Sequence, residues 1–316
     1  MLNIDDILVA RDFSSVSDRA VRHGLDLAAR TDATLHLLHA EVLHEIEDRG
    51  EDRPSPADGL DAFRDRLKKD GAASPEALDA VSIVEVTRRD VSPGPALLNY
   101  ADDENIDLIL MGTHGRSGPG RLLLGSVAEE VVRRARQPVI TVRGKEEGRT
   151  PVPGVIDRIL VPVDFSEHSR EALRTAHEWA TLYDAEIDVF HVVVQDLHPA
   201  FYQGGVTSIY DVEPDLDEKV RAKLMEFVQE VLGTTEGVEA HMATGSAPSA
   251  ITEFVAENET DLVCLSTHGR TGLKRFFLGS VAEKVVRHVN CPVLTVKAFG
   301  KSMVSVAATE SAPEEA

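Results

Sequence analysis

Residues 111–130 read MGTHGRSGPGRLLLGSVAEE, and residues 265–284 read LSTHGRTGLKRFFLGSVAEK. Each copy is preceded by a short apolar run, DLILM at 107–111 and DLVCL at 261–265, the pattern of a strand buried on both faces. Each then passes through glycines into a helical pattern opening near Ser126 or Ser280. A strand that hands its carboxyl end to a glycine-rich loop and then to a helix is the unit of a parallel α/β sheet, and ligands bind such sheets at that loop.

Working outward, the rest of the chain repeats as well. Ile7-Leu-Val-Ala-Arg-Asp-Phe-Ser14 matches Ile159-Leu-Val-Pro-Val-Asp-Phe-Ser166 at a shift of 152 residues, which His39 and His191 share. From Asp107 and Asp261 to Pro138 and Pro292 the shift is 154. The halves are therefore a tandem duplication with a small net insertion. In each, an apolar run gives way to a helix with one apolar face (Val21, Leu25, Ala28; Leu173, Ala176, Ala180). Second strands follow at 35–42 and 187–194, and PVITV and PVLTV close the halves. Strands alternating with helices predict two tandem doubly wound α/β domains. Their expected bounds are 1–143 and 156–298, with a linker at 144–155 and a disordered tail at 299–316, rich in alanine and glutamate. The halves diverge at 44–59 and 198–215, which read as surface insertions, a lid over the loop being the alternative. A helix with Leu216, Val220, Leu224, Phe227 and Val231 on one face follows the second insertion.

The formal net charge is −21 over 316 residues. Such acidity argues against nucleic acid or an anionic membrane as partner, because both are repelled at long range. It also opposes any anionic ligand unless salt screens the field, which at about 1 M it does within about 3 Å; a halophilic cytosol reconciles the two. The apolar runs are too short to cross a bilayer, and the N-terminus has no signal-peptide pattern, so a cytoplasmic protein is expected. Two cysteines, Cys264 and Cys291, make neither a disulfide framework nor a metal site and read as reduced packing residues.

The repeated glycines have a specific chemistry. A phosphate reaches backbone N–H groups where no Cβ intervenes, and the first turn of a helix offers unpaired N–H groups with partial positive charge. In this acidic chain, 112–125 has no carboxylate but has Arg116 and Arg121; 266–279 has none but has Arg270, Lys274 and Arg275. The competing reading is purely structural: Ser126-Val-Ala-Glu129 and Ser280-Val-Ala-Glu283 each fit a capping box, worth about 1 kcal/mol without any ligand. There is no GxxxxGK[ST] and no GxGxxG after the first strand, so P-loop and dinucleotide-fingerprint readings fail.

The spacing Gly112-x2-Gly115-x9-Gly125-Ser126, with the ILVPVDFS-type start and the GSVAE helix in both halves, resembles the ATP-binding motif of the universal stress protein family. The likeness covers nearly the whole chain. It implies a Rossmann-like, five-stranded parallel sheet per half with helices on both faces. It further implies an adenine nucleotide, ATP or AMP/ADP, with adenine and ribose near Asp12 and Ala40 in the first half and Asp164 and Val192 in the second. The phosphates would fall on Gly112, Gly115, Arg116, Gly125 and Ser126, and on Ser266, Gly269, Arg270, Gly279 and Ser280. Asp12 and Asp164 would bind a ribose hydroxyl or hold Mg2+ through phosphate-bound water. By the same resemblance the closing strands pair the halves into an intramolecular pseudo-dimer; whether two chains form a homo-oligomer stays open. Two departures stand out: Ala10 where the second half has Pro162, and Ser266 where the first has Gly112. His114 and His268 lie between the glycines without a second ligand at metal spacing. No carboxylate or histidine is committed to the role of base, so a nucleotide-binding regulator with at most slow hydrolysis is expected. The alternatives are an interaction scaffold that keeps the fold without ligand and an adenylate-transferring enzyme.

Overall fold

The computed structural model describes residues 2–42, 79–113, 124–144, 154–194, 209–211, 213–267, 278–297 and 300–304. In the first half the elements are β1 (Asp6–Ala10), α1 (Ser15–Thr31), β2 (Thr34–Val42), β3 (Ile83–Asp90), α2 (Pro93–Asp103), β4 (Leu108–Gly112), α3 (Ser126–Arg134) and β5 (Val139–Val142). The second half repeats them as β6 (Arg158–Pro162), α4 (Glu167–Tyr183), β7 (Glu186–Val193), β8 (Val238–Thr244), α6 (Ala247–Glu257), β9 (Leu262–Ser266), α7 (Ser280–His288) and β10 (Val293–Val296), and between β7 and β8 it has α5 (Leu216–Leu232), preceded by a short 3-10 turn at Ile209–Asp211.

The apolar runs sit where their composition requires. Ile7 and Val9 pack with α1 on one face of the sheet, while Leu8 between them packs with α2 and α3 on the other. Period-two alternation with both faces covered is why the run has no polar member. The matching face in the second half carries α4 and α5, and the opposite face α6 and α7. The helix expected after the second insertion is α5, with Leu224, Phe227 and Val228 buried and Val220 and Val231 packed at the margin. Burial of a Leu or Val side chain contributes about 1.5–3 kcal/mol, so the central strands and the helix faces that cover them hold most of the stability.

One sheet of ten strands runs through the molecule in the order β3-β2-β1-β4-β5-β10-β9-β6-β7-β8. All pairings within each half are parallel, and β5 meets β10 antiparallel, with Ile140 opposite Leu294. Thr295 Oγ1 donates to the Val139 carbonyl at 3.1 Å, and Thr141 Oγ1 to that of Val293 at 3.4 Å. Because the seam is antiparallel, the carboxyl ends of the strands in the two halves point to opposite edges of the sheet.

Residues 300–304, assigned to the tail from sequence, pack instead against the first half. Met303 is buried, the Asn3 amide donates to its carbonyl at 2.8 Å, and Leu2 bridges Val304. Lys301 pairs with Asp107 at 2.6 Å and donates to the Ile106 carbonyl. The alanine- and glutamate-rich composition that suggested disorder begins only beyond this segment.

Candidate nucleotide-binding site

β1 has β2 on one side and β4 on the other, so strand order reverses between β1 and β4, and a crevice opens beyond their carboxyl ends. The same holds for β6 between β7 and β9.

The floor of the first crevice is the turn after β1. Phe13 has φ 63°, a left-handed conformation that a bulky residue holds only when its surroundings demand it. The Arg11 guanidinium lies over the Phe13 ring at 4.4 Å and His39 packs against it at 4.8 Å. His39 Nδ1 donates to the Arg11 carbonyl at 2.9 Å, which fixes the orientation of the ring. The turn is copied in the second half: Phe165 has φ 62°, His191 packs on it at 4.7 Å, and His191 Nδ1 donates to the Val163 carbonyl at 2.7 Å. Sequence reasoning registered the histidines as repeats and missed that each locks a strained phenylalanine; the constant spacing of Asp-Phe-Ser and His in both halves was the available signal.

These turns aim the two aspartates. Asp12 Oδ1 accepts the Ser14 amide at 3.0 Å, and Ser14 caps α1 by accepting the Ser17 amide at 3.2 Å. Asp164 Oδ1 accepts the Ser166 amide at 3.1 Å and its hydroxyl at 2.5 Å, with Ser166 capping α4 likewise.

One wall is made of backbone. The Thr34 amide bonds Asp5 of the β1 side and the Leu35 amide bonds Ser82 of the β3 side, so the even-numbered residues of β2 turn their polar groups toward β1. The last such pairing is Arg11 N–H to the Leu38 carbonyl at 2.8 Å. Ala40 is two residues further, past the end of β1, and its amide and carbonyl point over the crevice. Val192 stands in the same relation to the bond from the Val163 amide to the Phe190 carbonyl, also 2.8 Å.

The opposite wall is the exit of β4 and the start of α3. Gly112 pairs with Val142 and the Thr113 amide donates to the Val142 carbonyl at 2.9 Å; Ser266 pairs with Val296 and the Thr267 amide donates to the Val296 carbonyl at 3.0 Å. Two expectations change here. Gly125 and Gly279 are the N-caps, and Ser126 and Ser280 are the first residues inside the helices, so no capping box forms and neither helix has a side-chain cap bond. The reason is long-range. The Gly125 amide donates to the Thr113 carbonyl at 2.7 Å and the Gly279 amide to that of Thr267 at 2.8 Å, which pins the glycine one position ahead of the serine. Those two glycine amides are consequently not phosphate donors. The donors that remain are the first-turn amides of Ser126, Val127 and Ala128 and of Ser280, Val281 and Ala282, which no side chain caps among the described residues. A Cβ on Gly279 would meet the Thr267 carbonyl oxygen at 3.1 Å, which explains glycine at that close approach. Gly115, Arg116, Gly269, Arg270, His114 and His268 lie outside the described residues.

Both cysteines are buried, and burial raises their thiols, Cys291 to about 12; neither is a reactive group. Among the described residues no helix is long and apolar enough to cross a membrane.

The universal stress protein family model matches residues 3–143 and 156–297. The chain belongs to that family, with two copies of its domain. A universal stress protein of Methanocaldococcus jannaschii is 34% identical over 145 residues, 44% of this chain and 81% of that protein. One from Mycolicibacterium smegmatis is 25% identical over 304 residues, 92% of this chain and 96% of that protein. Among solved structures, a universal stress protein of Archaeoglobus fulgidus has a TM-score of 0.61 at 22% identity, covering 93% of this chain and 97% of its own, and thus shares the fold.

Proposed function

We propose that the protein binds an adenine nucleotide, ATP or its di- or monophosphate, in the crevice beyond β1 and β4 and again beyond β6 and β9, and that occupancy regulates its part in a stress response. The observation that carries this reading is the pair of uncapped first turns. α3 and α7 each present first-turn backbone donors that no side chain caps among the described residues, across a crevice from an oriented aspartate and an open stretch of strand backbone. Helix amides and dipole suit phosphoryl oxygens. The Ala40 and Val192 backbone groups suit the donor and acceptor edge of adenine, and Asp12 or Asp164 a ribose hydroxyl. Each aspartate has one oxygen engaged by the following serine, which fits water-mediated rather than direct contact with Mg2+. The two halves, joined along β5 and β10, act as an intramolecular pseudo-dimer carrying two such sites.

The scaffold reading draws on one specific fact, the saturation of the Gly125 and Gly279 amides by the protein itself. Calorimetric titration of the full chain with Mg-ATP, in molar KCl to screen the acidic surface, separates the two. Binding that is lost in the double variant Gly125→Val, Gly279→Val, which still melts cooperatively although the Cβ at 279 crowds the Thr267 carbonyl, is the expected result. Equal affinity in that variant, or no heat with the wild type and no nucleotide released on denaturation, overturns the nucleotide reading in favour of the scaffold.

A further inference from the structure

Each helix that starts at one crevice ends against the other half. α3 begins at Ser126, after its N-cap Gly125, and runs nine residues, a rod of about 13 Å, to the carbonyls of Arg133 and Ala135. Those carbonyls belong to the helix C-terminus, where no intrahelical partner remains and the dipole is negative. Lys297 of the second half fills the position: its Nζ donates to the Arg133 carbonyl at 2.9 Å and also to that of Ala135. Burial pushes the Lys297 ammonium down to about 8, so it is charged in a titration at pH 7.

Lys297 is the residue after β10, and its neighbour Val296 is built into the second crevice. Val296 pairs with Ser266, and its carbonyl accepts the Thr267 amide at 3.0 Å. The Thr267 carbonyl in turn fixes Gly279, the N-cap of α7. From one crevice to the other there is thus an unbroken series of α3, a lysine on its last carbonyls, the end of β10 and the turn that seats α7.

The return path exists too. Arg143, at the 154-residue shift from Lys297, is buried and reaches the carbonyl of Val289, the C-cap of α7, at 3.5 Å. Its neighbour Val142 pairs with Gly112 and accepts the Thr113 amide, whose residue seats Gly125 and α3. The two links are related by the internal repeat, and the Lys297 link is the shorter.

We infer that the two crevices are coupled with positive cooperativity through these crossed cation-to-helix contacts, the link at Lys297 being the principal one; this rests on the nucleotide reading above. An anion at the start of α3 and a cation at its end act on the same dipole. Filling the first crevice therefore favours the seated position of Lys297, which holds the β10 end and the Thr267 turn in the geometry that the second ligand needs. Differential affinity for seated and unseated positions is what such coupling requires.

The test compares nucleotide affinity at the first site when the second is open and when it is blocked by Gly279→Val, using Mg-ATP and the full chain at pH 7. With Lys297 present, opening the second site tightens the first about fivefold, the lower end of ordinary coupling. In Lys297→Met the ratio falls to about one, while affinity in the blocked background stays within about twofold, since Lys297 touches no ligand. Lys297→Arg keeps a cation and restores the ratio, and thermal melts of both variants exclude unfolding as the cause. Arg143→Met lowers the ratio less. A ratio of one in the wild type, or a fivefold ratio that persists in Lys297→Met, overturns the coupling while nucleotide binding stands. No binding by the wild type removes the nucleotide reading first and the coupling with it.

Discussion

The two halves solve one problem with different residues. At the base of β1, Asp6 Oδ1 bonds His36 Nε2 at 3.0 Å, and His36 Nδ1 meets the Tyr100 hydroxyl at 2.7 Å. At the matching positions of the second half, Arg158 replaces Asp6 and Asp188 replaces His36. Arg158 Nε and Nη2 donate to Asp188 at 3.2 and 3.3 Å, and His241 Nε2 bonds Asp188 Oδ1 at 2.8 Å. With Glu239 nearby, Asp188 and His241 form the spacing of a cation site, and Arg158 already supplies the cation. A polar pair is kept between the first two strands of each half while its members change, Asp6 and His36 in one and Arg158 and Asp188 in the other. The turn above it keeps its main features in both halves: an aspartate accepting the amide two residues on, a left-handed phenylalanine and a histidine bonded to the carbonyl before the aspartate. The fold thus requires only that a buried polar group be partnered, whereas the crevice turn holds particular groups in a particular orientation.

Arg158→Met should produce the largest effect on this comparison. It leaves Asp188, 1% exposed, with His241 as its neighbour; because Arg158 is itself 33% exposed, the loss lies at the lower end of the cost of breaking a buried pair, about 3 kcal/mol. Asp6→Asn in the first half retains an acceptor for His36 and should cost about 1 kcal/mol. Urea denaturation of both variants checks the contrast, and equal losses would show that the two pairs are equivalent after all.

His23 tests a second asymmetry. It lies at the junction of the halves, where it lines a cavity with Leu27, Ile140, Trp179, Tyr183 and Leu262, and its Nε2 has no bond among the described residues. Burial first and Arg19 second lower its pKa from 6.5 to about 4. The unfolded chain therefore binds the extra proton between about pH 6.5 and 4, and stability present above that window is lost as pH falls through it. The shift corresponds to roughly 3 kcal/mol. The second half has Thr175 at the matching position. His23→Thr should remove that share of the acid sensitivity, seen as the difference between wild-type and variant stabilities at pH 7 and pH 4.

The smallest effect is expected at the loop entrance. Ser266→Gly restores the first half's residue and should tighten nucleotide binding in the second half by about threefold, under about 1 kcal/mol. Titration in the Gly125→Val background reads that site alone.

The central strands were legible because burial on both faces leaves only apolar residues, as in Leu108–Met111 and Leu262–Leu265. β3 was not, since Ile83–Asp90 lies at the sheet edge with Glu85, Arg88 and Arg89 exposed and so has no continuous run. In the candidate site, Asp12, Ala40 and the glycines were nominated through repetition and resemblance. The helix starts were read correctly near Ser126 and Ser280, but the capping boxes were misjudged because Ser126-Val-Ala-Glu129 satisfies a local pattern, while the bond from Gly125 to the Thr113 carbonyl that displaces it joins residues twelve apart in sequence. The exchange of Asp6 and His36 for Arg158 and Asp188 was hidden for a similar reason, because those residues become neighbours only when strands pair.

The antiparallel join of β5 to β10 also changes what concentration means for this molecule. A separate pair of single-domain subunits must find each other, and dilution pulls them apart. Here the meeting is unimolecular, its effective molarity set by the short connecting segment, so both crevices persist together however scarce the protein becomes.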